Sequence, residues 1–229
     1  MKPTTSKKEE LVAIEVWDWQ TRVLHWLNAI LIISLVILIL GAEAVEELGF
    51  GEATEDWLKS THAQVGRIFA ITLTLRILWG FVGNRYARWS DMLPFTQEKR
   101  RAIVENIKWY LSGFRGKAPV HIGHNPLASL FYIALFIVLV VQALTGLFLA
   151  GIEFNMFPAS LLTAGFDEHT LEELEEAIEE IHEFGLWFVI FFFIAHMTGL
   201  IAHHLFDRGG LLGSMIHGKK YFKKDELGL

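Results

Sequence analysis

Long apolar runs separated by charged segments dominate the pattern of this chain. Four such runs, at about 24–41, 63–83, 127–150 and 184–206, contain no proline. Each run is long enough to cross roughly 30 Å of hydrocarbon as a helix. A transmembrane barrel would instead show short segments of alternating polarity. We therefore predict an all-α membrane protein, a four-helix transmembrane bundle that forms one domain over residues 1–229.

A soluble bundle of buried helices is the alternative to this fold. Its helices would show polar faces, whereas the stretch 131–149 contains almost no polar side chain beyond Gln142 and Thr145. The apolar fraction of 52% and the mean hydropathy of +0.37 are also high for a soluble domain. The first run begins too far along the chain and is too long for a cleaved signal peptide. The polar residues 1–10 are expected to be disordered.

Charged residues are divided between two sets of connecting segments. Six carboxylates follow the first run between Glu43 and Asp56, and ten follow the third between Glu153 and Glu183. Lys59, just before the second run, is the only clear cation of these two connecting segments. Lys and Arg predominate at both chain ends and between the second and third runs. Because basic segments stay in the cytoplasm, we expect a bacterial inner-membrane protein with both termini cytoplasmic and the acidic segments periplasmic.

Two further helices are expected beside the spans. Residues 98–114 carry an apolar stripe at helical spacing with Lys and Arg opposite, which predicts a helix lying on the cytoplasmic membrane surface. Thr170-x-x-Glu173 predicts a capping box that opens an acidic periplasmic helix, whose apolar stripe leads into the fourth span.

Histidines at the ends and inside the apolar runs carry the candidate chemistry. His25 opens the first run, His62 the second and His182 the fourth, and His196 lies within the fourth. An ionisable side chain in a membrane span is costly, and its default interpretation is functional. His182 and His196 fall on similar faces of one helix, about 21 Å apart along its axis. By depth from the outer ends of the spans, His62 matches His182 and His25 matches His196.

Two pairs at two depths predict two metal centres stacked across the bilayer. Zinc prefers four ligands in a tetrahedron, which two pairs about 20 Å apart do not provide. The chain has no cysteine, which excludes iron–sulfur clusters, disulfides and covalent c-type haem. Two non-covalent b haems are therefore expected. His203 shares the face of His196 and competes with it for His25, and any single histidine here could instead hydrogen-bond a neighbouring helix.

Several short motifs follow one another along the chain. They are Arg22-x-x-His25-Trp26, His62-x-x-x-Gly66 with Arg76, Gly123-His124-Asn125-Pro126, His182-x13-His196-x6-His203-His204 and the tail 215–220. With these motifs the sequence resembles the bacterial cytochrome b561 and Ni/Fe-hydrogenase b-type cytochrome family. The glycine–histidine–asparagine–proline motif is closer to the hydrogenase-type branch than to the short stand-alone cytochromes.

The resemblance implies a four-helix bundle with two haems. His62 with His182 would hold the outer haem, and His25 with His196 the inner one. By the same analogy His203 lies near the inner haem or a quinone pocket rather than on iron. Arg67, close beyond His62, either pairs with a haem propionate or extends to the membrane interface.

Two haems with two histidines each indicate electron transfer, because no iron position stays open for oxygen. We expect a membrane subunit that links a basic periplasmic redox protein or enzyme subunit to a quinone in the lipid, as the quinone-reactive part of an oxidoreductase. No catalytic side chain and no nucleic acid partner are expected. The alternatives are a stand-alone quinone oxidoreductase acting on a small molecule such as superoxide, the membrane anchor of a hydrogenase-type enzyme, and a non-redox membrane protein.

Overall fold

Helices form most of the described chain. The computed structural model describes residues 11–113, 115, 119–206 and 210–228, without the side chains of 202–206. In chain order the elements are β1 (Leu11–Glu15), α1 (Trp19–Glu47), α2 (Glu52–Val82), α3 (Trp89–Met92), α4 (Gln97–Leu111), α5 (Pro126–Glu153), α6 (Ser160–Thr163), α7 (Glu168–Phe206), α8 (Leu211–His217), β2 (Lys219–Lys223) and a 3-10 turn (Lys224–Glu226).

Four of these helices are long and apolar enough to cross a membrane, and they contain the four predicted runs except for residue 83, which follows the end of α2. They are α1, α2, α5 and α7, so the predicted all-α, four-span fold class is confirmed. The apolar pattern did not show how far each helix extends. α2 begins at Glu52 and α7 at Glu168, well inside the acidic segments, and the acidic helix continues into the fourth span as expected. The expected disorder of residues 1–10 lies outside the described residues.

The start of α7 differs from the capping box predicted at Thr170. The Asp167 carboxylate accepts the backbone N–H of Thr170 at 3.0 Å and its hydroxyl at 2.9 Å. Asp167 therefore satisfies an otherwise unpaired donor of the first turn, and Thr170 already belongs to the helix. The prediction was wrong because a carboxylate three residues earlier competes for the same backbone group.

Contacts divide the chain into two compact units. The first comprises Met1–Arg22, Gly83–Leu130 and His196–Leu229, and the second comprises Val23–Val82 and Phe131–Ala195. Each unit is therefore built from segments that are distant in sequence.

The second unit holds the apolar core. Phe69, Leu73, Leu139 and Val189 are buried together, with partly buried leucine and isoleucine side chains packed around them. Many other large apolar side chains point outwards, and Phe184 is 77% exposed. A surface of this kind is suited to hydrocarbon, because lipid tails solvate apolar side chains that water would not.

The first unit contains a small sheet that the sequence analysis missed. β1 pairs antiparallel with β2, from Leu11 opposite Lys223 to Glu15 opposite Lys219. The chain next to β1 is also held, because the Val16 N–H donates to the Gly218 carbonyl at 2.8 Å. The two ends of the described chain therefore lie next to each other in this unit.

α4 is the helix predicted over residues 98–114, but it ends at Leu111. Gly113 has a φ of +69°, which closes the helix in a left-handed turn. Asn106 is buried on one face, whereas Val104 and Leu111 are exposed on another. An exposed apolar stripe on a short basic helix is typical of a membrane interface.

Candidate functional site

A cavity of about 390 Å³ lies within the second unit and is lined by residues of α1, α2, α5 and α7. Its volume falls in the range of small-molecule and cofactor pockets, which is about 300–1,000 Å³. Most of its wall surface is apolar. Carboxylates line the end where α1 and α5 finish and where α2 and α7 begin: Glu43, Glu153, Glu175, Glu179 and Glu183.

His62 from α2 and His182 from α7 face each other across this cavity. Their ring centres are 6.2 Å apart, and their planes are inclined by 80°. An atom held between two imidazoles needs two metal–nitrogen bonds of about 2 Å and about 1 Å more to each ring centre, or about 6 Å in total. The spacing of the two rings therefore fits a single shared metal ion such as a haem iron.

Each of these imidazoles is anchored through its Nδ1 atom. His62 Nδ1 lies 3.0 Å from the Leu35 carbonyl on α1. A carbonyl can only accept, so Nδ1 carries the proton and Nε2 keeps its lone pair. A ligating histidine usually donates its second ring N–H in this way, which fixes its tautomer and orientation.

His182 is anchored by a side chain instead of a carbonyl. Its Nδ1 lies 2.8 Å from the Thr145 hydroxyl oxygen on α5. The same hydroxyl lies 2.8 Å from the Val141 carbonyl and 3.2 Å from the Gln142 carbonyl, and with its proton on either of these it accepts the proton of the His182 ring. The Nε2 atom of His182 is then also the nitrogen with a lone pair, and the two rings present matching donor atoms.

Two glycines border the histidine pair. A Cβ atom on Gly146 would lie 2.9 Å from Cε1 of His182, so the ring occupies its position because residue 146 has no side chain. Gly66, one turn after His62, also lines the cavity, and a Cβ there would meet only Leu35, at 3.9 Å. A flat cofactor needs open wall of this kind, and the residues present fit a haem.

Arg67 and Lys59 are cations that line the same cavity. One Arg67 nitrogen donates to the Phe157 carbonyl at 3.3 Å, which leaves most of its N–H groups for another partner. Lys59 forms an ion pair with Glu55 at 2.7 Å. Arg67 therefore lines the cavity that contains the histidine pair, and its two predicted roles both stay open.

The second predicted pair is divided between the units. His25 lies on α1 in the second unit, with its ring 5.3 Å from that of Trp26, and His196 lies on α7 in the first. Their pairing stays a prediction. His203 and His204 belong to α7, and their side chains lie outside the described part of the chain.

Gln142 and Thr145 are site residues that the sequence analysis did not assign. Gln142 Nε2 donates to the His182 carbonyl at 2.8 Å, and Thr145 contacts the ring. A signal was present, since these two were noted as nearly the only polar side chains of the third run. Polar groups inside a span seek partners on neighbouring helices, and here both partners are on one residue.

A second cluster, in the first unit, is formed by His124 of the glycine–histidine–asparagine–proline loop and the side chains that contact this loop. His124 donates from Nδ1 to Asp91 at 3.0 Å, and its ring packs 4.7 Å from that of Trp17. Burial opposes ionisation of Asp91, but the hydrogen bonds from His124 outweigh it and lower the pKa of the carboxyl group. Lys220 donates to the Gly123 carbonyl at 2.7 Å and thereby fixes the loop to β2.

Comparison with known proteins identifies the family of this chain. A family model described as prokaryotic cytochrome b561 matches residues 16–218. A protein of Rhodobacter capsulatus named Probable Ni/Fe-hydrogenase B-type cytochrome subunit is 27% identical, over 94% of this chain and 84% of that protein. A protein of Escherichia coli K12 named Probable Ni/Fe-hydrogenase 1 B-type cytochrome subunit is 26% identical, over 95% of this chain and 94% of its own length. This chain belongs to the prokaryotic cytochrome b561 family.

Proposed function

We propose that this protein carries electrons across the bacterial inner membrane through two b haems, as the cytochrome subunit of a hydrogenase-type enzyme. The observation that carries the proposal is the pair His62 and His182, whose rings lie 6.2 Å apart in a cavity with both Nδ1 atoms anchored. The names of the relatives point to a Ni/Fe-hydrogenase as the enzyme partner. The electrons would pass from that partner to a quinone in the membrane.

In this proposal His62 and His182 would hold the outer haem, and Arg67 would pair with one of its propionates. When bound, the haem supplies the one-electron chemistry. The protein would offer two Nε2 atoms as ligands, exclude water with the apolar part of the cavity wall, and leave no iron position for oxygen. Ligand identity, burial and hydrogen bonding to the ligands are the means by which a protein sets a haem potential.

His25 and His196 hold the inner haem. Their support is the matched depth along two spans and the fourteen-residue spacing of His182 and His196 on a continuous helix. His203, seven residues further along α7, is placed next to the inner haem or a quinone pocket. The basic chain ends then lie in the cytoplasm.

The haem content of the purified protein tests this function. Pyridine hemochrome analysis should give two extractable haems per chain, and replacing His25 or His196 by alanine should leave one. His169→Ala is the matched control, because the side chain of that histidine is 79% exposed. It lies in the first turn of α7, well before the apolar run that begins at residue 184. One haem in the unmodified protein, or loss of the inner haem in His203→Ala but not in His196→Ala, would contradict the assignment.

The carboxylates at the cavity end support a basic periplasmic partner. Glu175 and Glu179 line the cavity itself, so a docked cationic surface would lie near the outer haem. Charge steering of this kind raises association rates by about 10-fold to 1,000-fold and weakens steeply with salt. The docked surface would be the cationic patch of an enzyme subunit or a basic c-type cytochrome.

Stopped-flow electron transfer with a basic c-type cytochrome tests the steering. Changing Glu172, Glu173, Glu175 and Glu176 to glutamine should slow the low-salt rate roughly tenfold and flatten its salt dependence. Glu98 and Glu105 changed to glutamine on α4 provide the control, and their rates should match the unmodified protein. An electron-transfer rate that changes neither with salt nor with the α7 substitutions would contradict a docking role for these carboxylates.

A further inference from the structure

α5 contributes no histidine to the cavity, yet it contacts the His182 residue twice. The Thr145 hydroxyl oxygen lies 2.8 Å from Nδ1 of the His182 ring. Three residues earlier, Gln142 Nε2 donates to the backbone carbonyl of the same residue at 2.8 Å. One turn of α5 thus holds both the ring and the main chain of His182.

The packing around these contacts is tight enough to fix them. A Cβ atom on Gly185, the residue of α7 beside Gln142, would lie 2.6 Å from the Gln142 Cδ atom. Gly146, next to Thr145, is required by the His182 ring in the same way. Both helices therefore lack a side chain at the position where the other helix places a polar group.

The two ring anchors of the cavity are chemically different. His62 donates to the main-chain carbonyl of Leu35, which no side-chain substitution removes. His182 Nδ1 contacts a side-chain hydroxyl, which accepts from the ring when its own proton lies on the Val141 or the Gln142 carbonyl. Donation from Nδ1–H increases the electron density of an imidazole ligand and favours the oxidised iron. Thr145 is accordingly the side chain through which the ligand strength of His182 can be changed.

We propose that Thr145 and Gln142 are positioning residues for the outer haem. Thr145 sets the tautomer and the electron donation of His182, and Gln142 holds the His182 main chain against α5. This inference rests on the proposed function, because it requires a haem between His62 and His182.

A redox titration of the two haems in the full-length protein tests the role of Thr145. Thr145→Val keeps the shape but loses the acceptor, so the midpoint potential of the outer haem should rise while that of the inner haem stays unchanged. Haem release from the outer site should become roughly tenfold faster. Thr145→Ser keeps the hydroxyl and should restore both values. Thr145→Ala removes the acceptor with a smaller side chain, in case valine prevents folding.

Thr74→Val is the matched control, because Thr74 also bonds within its helix, to Ala70, but its side chain is exposed. Gln142→Met should speed outer haem release with a smaller change in potential than Thr145→Val, since the ring bond survives. An outer potential that is unchanged in Thr145→Val and Thr145→Ala, or shifted equally in Thr145→Ser, would overturn the inference. Retention of both haems in His182→Ala would instead overturn the proposed function, so the two failures are distinguishable.

Discussion

His62 and His182 in the second unit and His124 in the first all use Nδ1 for a hydrogen bond, but their surroundings differ. The first two face each other across a cavity of about 390 Å³. The His124 ring instead packs against Trp17, with its hydrogen bond to Asp91 directed into the loop. Hydrogen bonding alone therefore does not mark a ligand. In the proposed function, a ligand is distinguished by a second imidazole whose ring centre lies about 6 Å away, with open volume beside the pair.

The neighbours of the two clusters differ in the same sense. His182 is bordered by Gly146, which leaves space, whereas the loop of His124 is crossed by Lys220, which bonds the carbonyls of Ile122 and Gly123 at 3.0 and 2.7 Å. The first arrangement holds a ring and leaves its other nitrogen for a cofactor. The second arrangement joins the start of α5 to β2, and the hydrogen bonds of His124 and Lys220 stabilise the fold.

Gly146→Ala should produce the largest change at the histidine pair short of removing a ligand. The new methyl group would lie 2.9 Å from the His182 ring and displace it, so haem content should fall from two towards one per chain. Alanine favours a helix over glycine by roughly 1 kcal/mol, so weakening of α5 would not explain the loss. Gly41→Ala on α1, where a Cβ meets only Leu58 at 3.9 Å, is the control and should keep both haems.

Asp91→Ala should have a smaller effect and one of a different kind. It leaves the ring and backbone N–H groups of His124 without their acceptor, which costs about 1–3 kcal/mol of unfolding free energy. Thermal unfolding in detergent should show a lower Tm with two haems retained. Loss of a haem from the folded variant would mean that the loop belongs to a cofactor site after all.

The smallest expected effect is a pH dependence of the Tm difference between the unmodified protein and Asp91→Ala. Because the pKa of Asp91 in the folded protein lies below its ordinary value of 3.8, the stabilisation is present at neutral pH and fades as pH falls through the lowered pKa. The Tm difference between the unmodified protein and Asp91→Ala should therefore shrink as pH falls below about pH 4. A difference that grows below about pH 4 would have the wrong sign.

The sequence predicted the spans and the pairing of His62 with His182 for physical reasons. A bilayer imposes a minimum apolar length, and regular helical rise converts residue numbers into depth, which is how His62 was matched to His182. The β1–β2 pairing was not accessible, because it joins chain ends about 200 residues apart through backbone groups that carry no side-chain signal. Thr145 was noted as polar but not assigned, since its contact depends on how α5 is rotated against α7.

Haem content of His182→Ala compared with His124→Ala tests the central claim most directly. The claim is that a facing imidazole and a cavity, rather than a hydrogen-bonded histidine as such, make the outer site. Pyridine hemochrome analysis of the purified variants should give one haem per chain for His182→Ala and two for His124→Ala. Two haems in His182→Ala, or the loss of one only in His124→Ala, would contradict the account.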